Sequence, residues 1–510
     1  MSSKTTSSAP KKIKVKRKSK EVRARPSKTE HLIEGLTLET LRKGHRDVAL
    51  VCSKKMNRLK YCNEMWYLCR EDSNLWAIVK KPHAYLVKII QDEIMDLVTE
   101  TTKAIKRASS KHREELEDEC KELLHTYTIV AGTSYACCVM NYLSEYLYSE
   151  GFNEKIDHNI GFLSFKNGIL DLKTGVFRKG LRPEDYISFT LDFDYKEDKI
   201  EKDCEVWNQF KKVLNNNDEH LDYFMSLVGH SFTGESALVK AMYFVIDGLG
   251  ESKGDNGKSF LFKTLMHVMG NYVGKPTSSL LEKNNTKSHK QINHLKGKRF
   301  IFMEEFPQKA INCDLMKELS DGGQMSNEVM FGTMEKIHII GMFFVLSNHT
   351  PNLDADESAG YNRYKEVSLK SHFDRSGIRK VANEEALEFI ADTSLFDKII
   401  NEHRDEVVGL IVKYAMRFYK TGIPPTPIAF LKAEHETKAS NDEFLDWFED
   451  NCEKGDEVDK LAEKKIAEMA DIDVKKVRKG MARLGYKYIK DLSQGRGYKG
   501  GYEGVRIIKS

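Results

Sequence analysis

The sequence predicts an α/β fold with a P-loop core, a mixed helical and β region before it and a winged-helix pattern after it. Three observations predict this. Residues 241–260 read AMYFVIDGLGESKGDNGKSF: a short apolar run, a loop with four glycines, then a helix start. Two later apolar runs, in RFIFMEEF and FFVLSNHTP, each deliver polar residues at their ends. From residue 441 the pattern becomes helix, helix and hairpin.

A chain of 510 residues with 40% hydrophobic content can bury more than one core, and about two to four domains are expected. No run of ~18 apolar residues predicts a membrane span, and the first residues lack the apolar centre of a signal peptide. Nine scattered cysteines without paired C-x-x-C spacing point to reduced intracellular thiols rather than a zinc site. The net charge of +4 is unevenly spread.

Residues 1–30 are rich in Ser, Thr, Pro and Lys and are expected to be a disordered basic tail. Its run PKKIKVKRK reads as a nuclear-import signal, a non-specific DNA tether or a solubilising tail. Residues 31–200 form an N-terminal domain. Trp66, Tyr67 and Trp76 flank a small hairpin, and Leu86, Ile90 and Ile94 give residues 83–101 one buried helical face. Residues 103–125 read as a charged, solvated helix. Residues 158–195 switch to period two, with turn signals at Asn167-Gly168 and Thr174-Gly175. Asp192 and Asp194 form a D-x-D that could suggest a two-metal pair, but Phe193 and Tyr195 argue for an edge strand. Residues 201–235 read as a helical collar or linker with Trp207, Phe210, Leu221 and Phe224 on one face.

Residues 236–380 carry the chemistry. Residues 243–246 read as a buried strand. Gly254 and Gly257 let N–H groups turn toward a polyphosphate, and the helix start adds its positive dipole end. Asp255, Asn256 and Phe260 complete the phosphate-binding stretch with Lys258, which can reach the outer phosphates, and Ser259, which can hold Mg²⁺. The frame departs from G-x-x-x-x-G-K-[ST] at its first position, which is Ser252; the nearest earlier glycine is Gly250. Glu304 and Glu305 end the next apolar run, as a Walker B pair requires: one carboxylate for the metal, the other for the attacking water. Asn348 follows residues 343–346 and either hydrogen-bonds a γ-phosphate or its water, or caps a turn before Pro351. Arg363 is an arginine-finger candidate, with Lys365 and Arg375 as rivals.

Residues 381–440 read as a helical linker and 441–510 as a winged-helix module. Its second helix bears Lys475, Lys476, Arg478 and Lys479, a basic recognition face for nucleic acid or, alternatively, for a protein partner.

Taken together, GDNGKS, FMEEF, LSNHTP and Arg363 resemble a superfamily 3 helicase, and more narrowly the helicase part of poxvirus-type primase-helicases of large DNA viruses and phages. FKNGILDLKTG with PEDYI upstream is similar to the domain that precedes the ATPase in that family. The resemblance implies an AAA+-like ATPase that uses ATP and Mg²⁺. It further implies a homohexameric ring on single-stranded and forked DNA, moving three-prime to five-prime, with a replication polymerase or primase as partner and no membrane. Ser259 and Glu304 would hold the metal, Glu305 would activate water, Asn348 would orient water or γ-phosphate and Arg363 would act from the next subunit. A hairpin near residues 322–340 would face the channel, with Lys336 and His338 as DNA contacts. Asn327-Glu328 stands where relatives often carry an arginine. The stretch before residue 150 is short for a primase domain, so primase activity is not expected. The setting implied is intracellular, in a host nucleus or at a viral replication site. Two alternatives stay open: a nucleotide-binding replication scaffold without hydrolysis, and an origin-initiation or packaging ATPase.

Overall fold

The computed structural model describes residues 35–508 except 197–203, 249–253, 284, 286–287, 306–310, 323, 329–333, 350, 352, 354–357, 379–380, 441–442, 457–458 and 491–499. The basic tail, the Ser252 region of the P-loop and most of SQGRGYKGG therefore lie outside the described residues. The chain divides into two compact units, residues 1–57 with 81–148, and residues 58–80 with 149–510.

The first unit is helical: α1 Leu38–Lys43, α2 His45–Lys55, α3 His83–Ile105, α4 Ser110–Val130 and α5 Thr133–Tyr146. Leu86, Ile90 and Ile94 are fully buried on α3, four residues apart, as one stripe of an amphipathic helix demands.

The second unit begins with the antiparallel meander β1 Leu59–Cys62, β2 Met65–Cys69 and β3 Trp76–Val79, the hairpin expected around Trp66 and Trp76. Trp76 packs edge-on against Phe152 of the short α6 Phe152–Lys155, with ring centroids 4.8 Å apart. A second meander follows, β4 Phe162–Phe165, β5 Gly168–Asp171 and β6 Phe177–Lys179, turning at both predicted glycine sites. Leu191 makes a single bridge to Phe165, and Asp192 and Asp194 lie beyond it outside any strand.

Helices α7 Glu205–Val213 and α8 Asp218–Thr233 lead to the centre of the unit. That centre is a five-stranded parallel sheet made of β7 Met242–Asp247, β8 Val273–Gly274, β9 Phe300–Glu304, β12 Met342–Ser347 and β13 Tyr364–Leu369, in the order β13-β7-β12-β9-β8. Between these strands run α9 Lys258–Met269, α10 Ser288–Asn293, α11 Cys313–Ser320, the antiparallel hairpin β10 Gln324–Glu328 with β11 Met334–His338, and α12 Ser358–Arg363. The central strands are apolar along their length because both faces are covered, the usual condition of a parallel sheet. Tyr243, Val245, Phe300 and Phe344 face one core with α8 and α9; Met242, Phe244, Ile301 and Phe343 face another with α11. Each such side chain contributes about 1.5–3 kcal/mol on burial.

Next come β14 His372–Asp374, β15 Glu388–Ile390, α13 Leu395–Glu402, α14 Arg404–Thr421 and α15 Ile428–Ser440. Residues 384–394 were expected to be helical; instead β15 pairs in parallel with β14, so a contact remote in sequence overrides local pattern. Helix α14 crosses α8 where Gly229 leaves room: a Cβ there would lie 2.5 Å from the Tyr414 carbonyl carbon. Asp222 locks the crossing by accepting from both Arg417 guanidinium nitrogens at 2.7 and 2.6 Å and from the Tyr414 hydroxyl at 2.7 Å.

The C-terminal elements are α16 Glu443–Asn451, β16 Cys452–Lys454, β17 Lys460–Ala462, α17 Glu463–Ala470, α18 Val474–Arg483, β18 Tyr488–Ile489, β19 Gly501–Glu503 and β20 Val505–Ile507. Phe444, Phe448, Ile466, Val477, Met481 and Tyr502 form their core. Helix, helix and hairpin occur as expected; strands β16 and β17 were not expected.

Candidate functional site

The site is built at the carboxyl edge of the parallel sheet, where side chains can leave the strands without being covered by the flanking helices. Register aligns three strand ends there: Ser347 with Ile246, and Leu346 with Glu304.

Strand β7 delivers the glycine loop and α9 begins at Lys258. Gly257 caps the helix at φ +82°, and a Cβ there would meet Val213 Cγ2 at 2.8 Å, so both backbone and space call for glycine. Asp255 also holds a positive φ, +50°. Its carbonyl accepts the Phe373 N–H at 2.7 Å and its carboxylate pairs with Arg375 at 2.9 Å, so β14 straps the loop from outside. Asn256 is buried; its Oδ1 accepts the Lys258 N–H at 3.3 Å, and its Nδ2 has no hydrogen-bond partner among the described residues. A buried amide donor left without an acceptor fits a phosphate oxygen in the loop.

Lys258 is only 6% exposed, and its Nζ donates to Asn348 Oδ1 at 2.8 Å. Burial lowers its pKa, and the carboxylates of Asp247 and Glu305 draw it back up. Asn348 is aimed by a hydroxyl turn at the end of β12: Ser347 Oγ donates to the His349 carbonyl at 2.7 Å and accepts its N–H at 3.0 Å. Glu304 and Glu305 are exposed. Glu304 pairs with Lys275 at 2.9 Å. Glu305 holds φ +67° while its N–H donates to the Leu346 carbonyl at 2.8 Å. A left-handed non-glycine residue costs of order 1–3 kcal/mol and clusters at functional sites. Ser259 is exposed in the first turn of α9, and Phe260 is half-buried beside it.

The structure thus brings together Gly254 to Phe260 and Asn348, with Glu305 close enough to Lys258 to act on its charge. It does not bring Arg363 to them. Arg363 precedes β13, at the amino edge of the sheet, and its Nε and Nη2 bond Asp321 Oδ1 at 3.1 and 2.7 Å. Of its rivals, Lys365 pairs with buried Glu434, and Arg375 is the one at the loop. Asp247, Lys275 and Asp321 were not singled out by sequence; each stands next to a named residue only after folding.

The expected hairpin is present, with Lys336 exposed on β11. His338 is half-buried, its ring 4.9 Å from that of His158 and 4.0 Å from the Glu154 carboxylate. On α18, Lys475 and Lys479 are exposed and Lys476 is half-buried, while Arg478 forms a two-pronged pair with buried Glu463 at 2.8 and 2.7 Å.

No three His, Cys, Asp or Glu side chains gather into a metal site among the described residues. Ser259, Glu304 and Glu305 offer oxygen donors alone. That set fits Mg²⁺, which binds a few protein oxygens and completes its shell with phosphate and water.

Comparison with known proteins adds to this geometry. A family model described as "D5 N terminal like" matches residues 49–214, and one described as a family of unknown function matches residues 251–363, the span from the glycine loop to Arg363. The chain is 25% identical over 443 residues to "Putative helicase L207/L206" of Acanthamoeba polyphaga mimivirus, covering 82% of this chain and 44% of that protein. It is 26% identical over 278 residues to "Putative helicase 184R" of Invertebrate iridescent virus 6, covering 51% and 27%. The chain therefore spans less than half the length of these relatives. The solved apo C-terminal region of NrS-1 matches at 14% identity over 48% of this chain and 55% of that one, with a TM-score of 0.33, too low to define the fold by likeness. Residues 49–214 thus match a D5 N-terminal-like domain, and the chain is similar to viral proteins that bear the name "Putative helicase".

Proposed function

We propose that this protein is an ATP-dependent DNA helicase of viral or phage-type genome replication, hydrolysing ATP in a ring that moves on single-stranded DNA and opens duplex. The observation that carries the proposal is the 2.8 Å hydrogen bond from Lys258 to Asn348, which joins the P-loop and the end of a neighbouring strand at one point. Lys258, buried but with Asp247 and Glu305 favouring its charge, is a cation prepared for outer phosphates. Asn348 would exchange that lysine for a γ-phosphate or its water. Glu305 would take the proton of the attacking water, with Glu304 and Ser259 on the metal side; the two glutamates could exchange roles. Mg²⁺ would supply charge neutralisation across the phosphates.

In this reading the P-loop core is AAA+-like, and the C-terminal elements form a winged helix whose Lys475, Lys476 and Lys479 face DNA, with Arg478 anchored on Glu463. Lys336 would contact DNA from the hairpin, and Arg363 would leave Asp321 to serve another copy's nucleotide. A homohexamer, a polymerase or primase partner, and a host nucleus or viral replication site complete the proposal.

The Glu304–Lys275 pair favours one second reading, a nucleotide-binding scaffold that does not hydrolyse, because a salt bridge ties up one of the two acids. Phosphate release with and without single-stranded DNA separates the two. Wild type should release phosphate, faster with DNA, and should open a forked duplex. Lys258→Ala should lower release on the order of a thousandfold with an unchanged melting temperature. Hydrolysis persisting in that variant would sink the site; binding without release would leave the scaffold.

A further inference from the structure

The span between β7 and α9 departs from the usual P-loop frame, and the residue that opens it has so far been given only its effect on the charge of Lys258. Asp247 ends β7 and is 6% exposed. By strand alternation it shares the face of Tyr243 and Val245, the face covered by α9. Its Oδ2 accepts the Gly254 N–H at 3.0 Å, joining the two ends of the intervening segment. Its charge also acts on Lys258. The Gly254 N–H and the Lys258 ammonium are groups a triphosphate would engage, and the orphaned Asn256 Nδ2 lies in the same loop.

We propose that Asp247 is a built-in competitor of the nucleotide: its carboxylate occupies the Gly254 N–H and balances Lys258, so a nucleoside triphosphate binds by displacing an internal anion. The inference rests on the proposed ATP site. Asp247 is a positioning residue here, not a catalytic one. A permanent carboxylate in the loop repels an incoming polyphosphate, and repels a triphosphate more than a diphosphate. The competition holds affinity below what the loop donors alone would give, and it gives the loop a partner of its own.

Asp247→Asn separates charge from shape, since the amide keeps an acceptor for Gly254. The full chain and this variant would be titrated by calorimetry with MgADP and with a non-hydrolysable ATP analogue with Mg²⁺. The variant should bind both more tightly, on the order of tenfold for the triphosphate analogue and less for MgADP. If Asp247 only shapes the loop, the variant would bind equally or more weakly, and the inference fails while the nucleotide site stands. No binding by wild type would overturn both. Melting without nucleotide monitors folding; should the Asn variant melt lower, Asp247→Ser is titrated in its place, with tightening again expected and its absence again decisive.

Discussion

The two edges of the parallel sheet handle charge in opposite ways. At the carboxyl edge Ser259, Glu304 and Glu305 are exposed to solvent. At the amino edge Arg299, just before β9, is 1% exposed. Its guanidinium donates to the Phe232 carbonyl at 3.3 Å and to the Asn159 carbonyl, and lies 5.8 Å from the Tyr272 ring centroid. Burial lowers the Arg299 pKa, and the nearby side chains of Tyr272, Tyr419, Asp157 and Glu235 oppose that shift. One edge leaves polar groups for something else to satisfy; the other uses a cation to bind its own layers. Variants at the first edge should change chemistry and spare stability, and variants at the second should do the reverse.

Arg363 is the strongest test, because it sits at the amino edge yet is proposed to do chemistry. Arg363→Ala should cut phosphate release on the order of a thousandfold, with a melting temperature close to wild type. Mixing it with Lys258→Ala should restore part of the rate, since an interface that sets the loop of the arginine variant against the arginine of the lysine variant is intact. A fall in melting temperature without rescue at any ratio would place Arg363 with Arg299 instead.

Arg299→Leu tests the amino edge itself. It removes the guanidinium donor from the Phe232 carbonyl and leaves the Asn159 carbonyl only the Phe162 N–H, and should cost about 3 kcal/mol in denaturant unfolding, with the rate per folded molecule unchanged. A loss of rate at full stability would break the contrast.

The smallest effect is pH-dependent. His230, wholly buried near the end of α8 with its ring centroid 4.0 Å from that of Phe418, has its pKa pushed down by burial to about 4. The unfolded chain takes up this proton near the ordinary 6.5. Below that pH the unfolded state binds more protons, so stability falls as pH drops from 6.5 toward 4. The loss should reach about 2 kcal/mol by pH 5. His230→Leu should remove that part of the pH dependence; parallel stability curves for variant and wild type from pH 8 to 5 would exclude the effect.

The sheet was legible because strands covered on both faces are apolar throughout, as MYFVID, FIFME and MFFVLS are. The glycine loop was legible because Gly257 has no substitute at φ +82°. Strand β8 was not, since two residues leave no period, and three-residue β16 and β17 fared the same. The site was half legible. Lys258 and Asn348 were both named, 90 positions apart, and the structure joins them. Asp247 on Gly254, Lys275 on Glu304 and Arg363 on Asp321 were not foreseeable, because each depends on where a loop returns rather than on spacing. The basic face of α18 looked uniform in sequence; only the fold distinguishes Arg478, held by a glutamate 6% exposed, from its neighbours.

Hairpin strand β11 runs into β12 through Ile339, Ile340 and Gly341, all buried, and a Cβ on Gly341 would lie 2.6 Å from the Lys298 carbonyl oxygen. That junction has no slack. Strand β12 then crosses the sheet as a rod of roughly 20 Å, at ~3.3 Å per residue, with the hairpin at one tip and Asn348 at the other. The asparagine and the hairpin are therefore the two ends of one continuous stretch of backbone, anchored along the sheet by β7 on one side and β9 on the other.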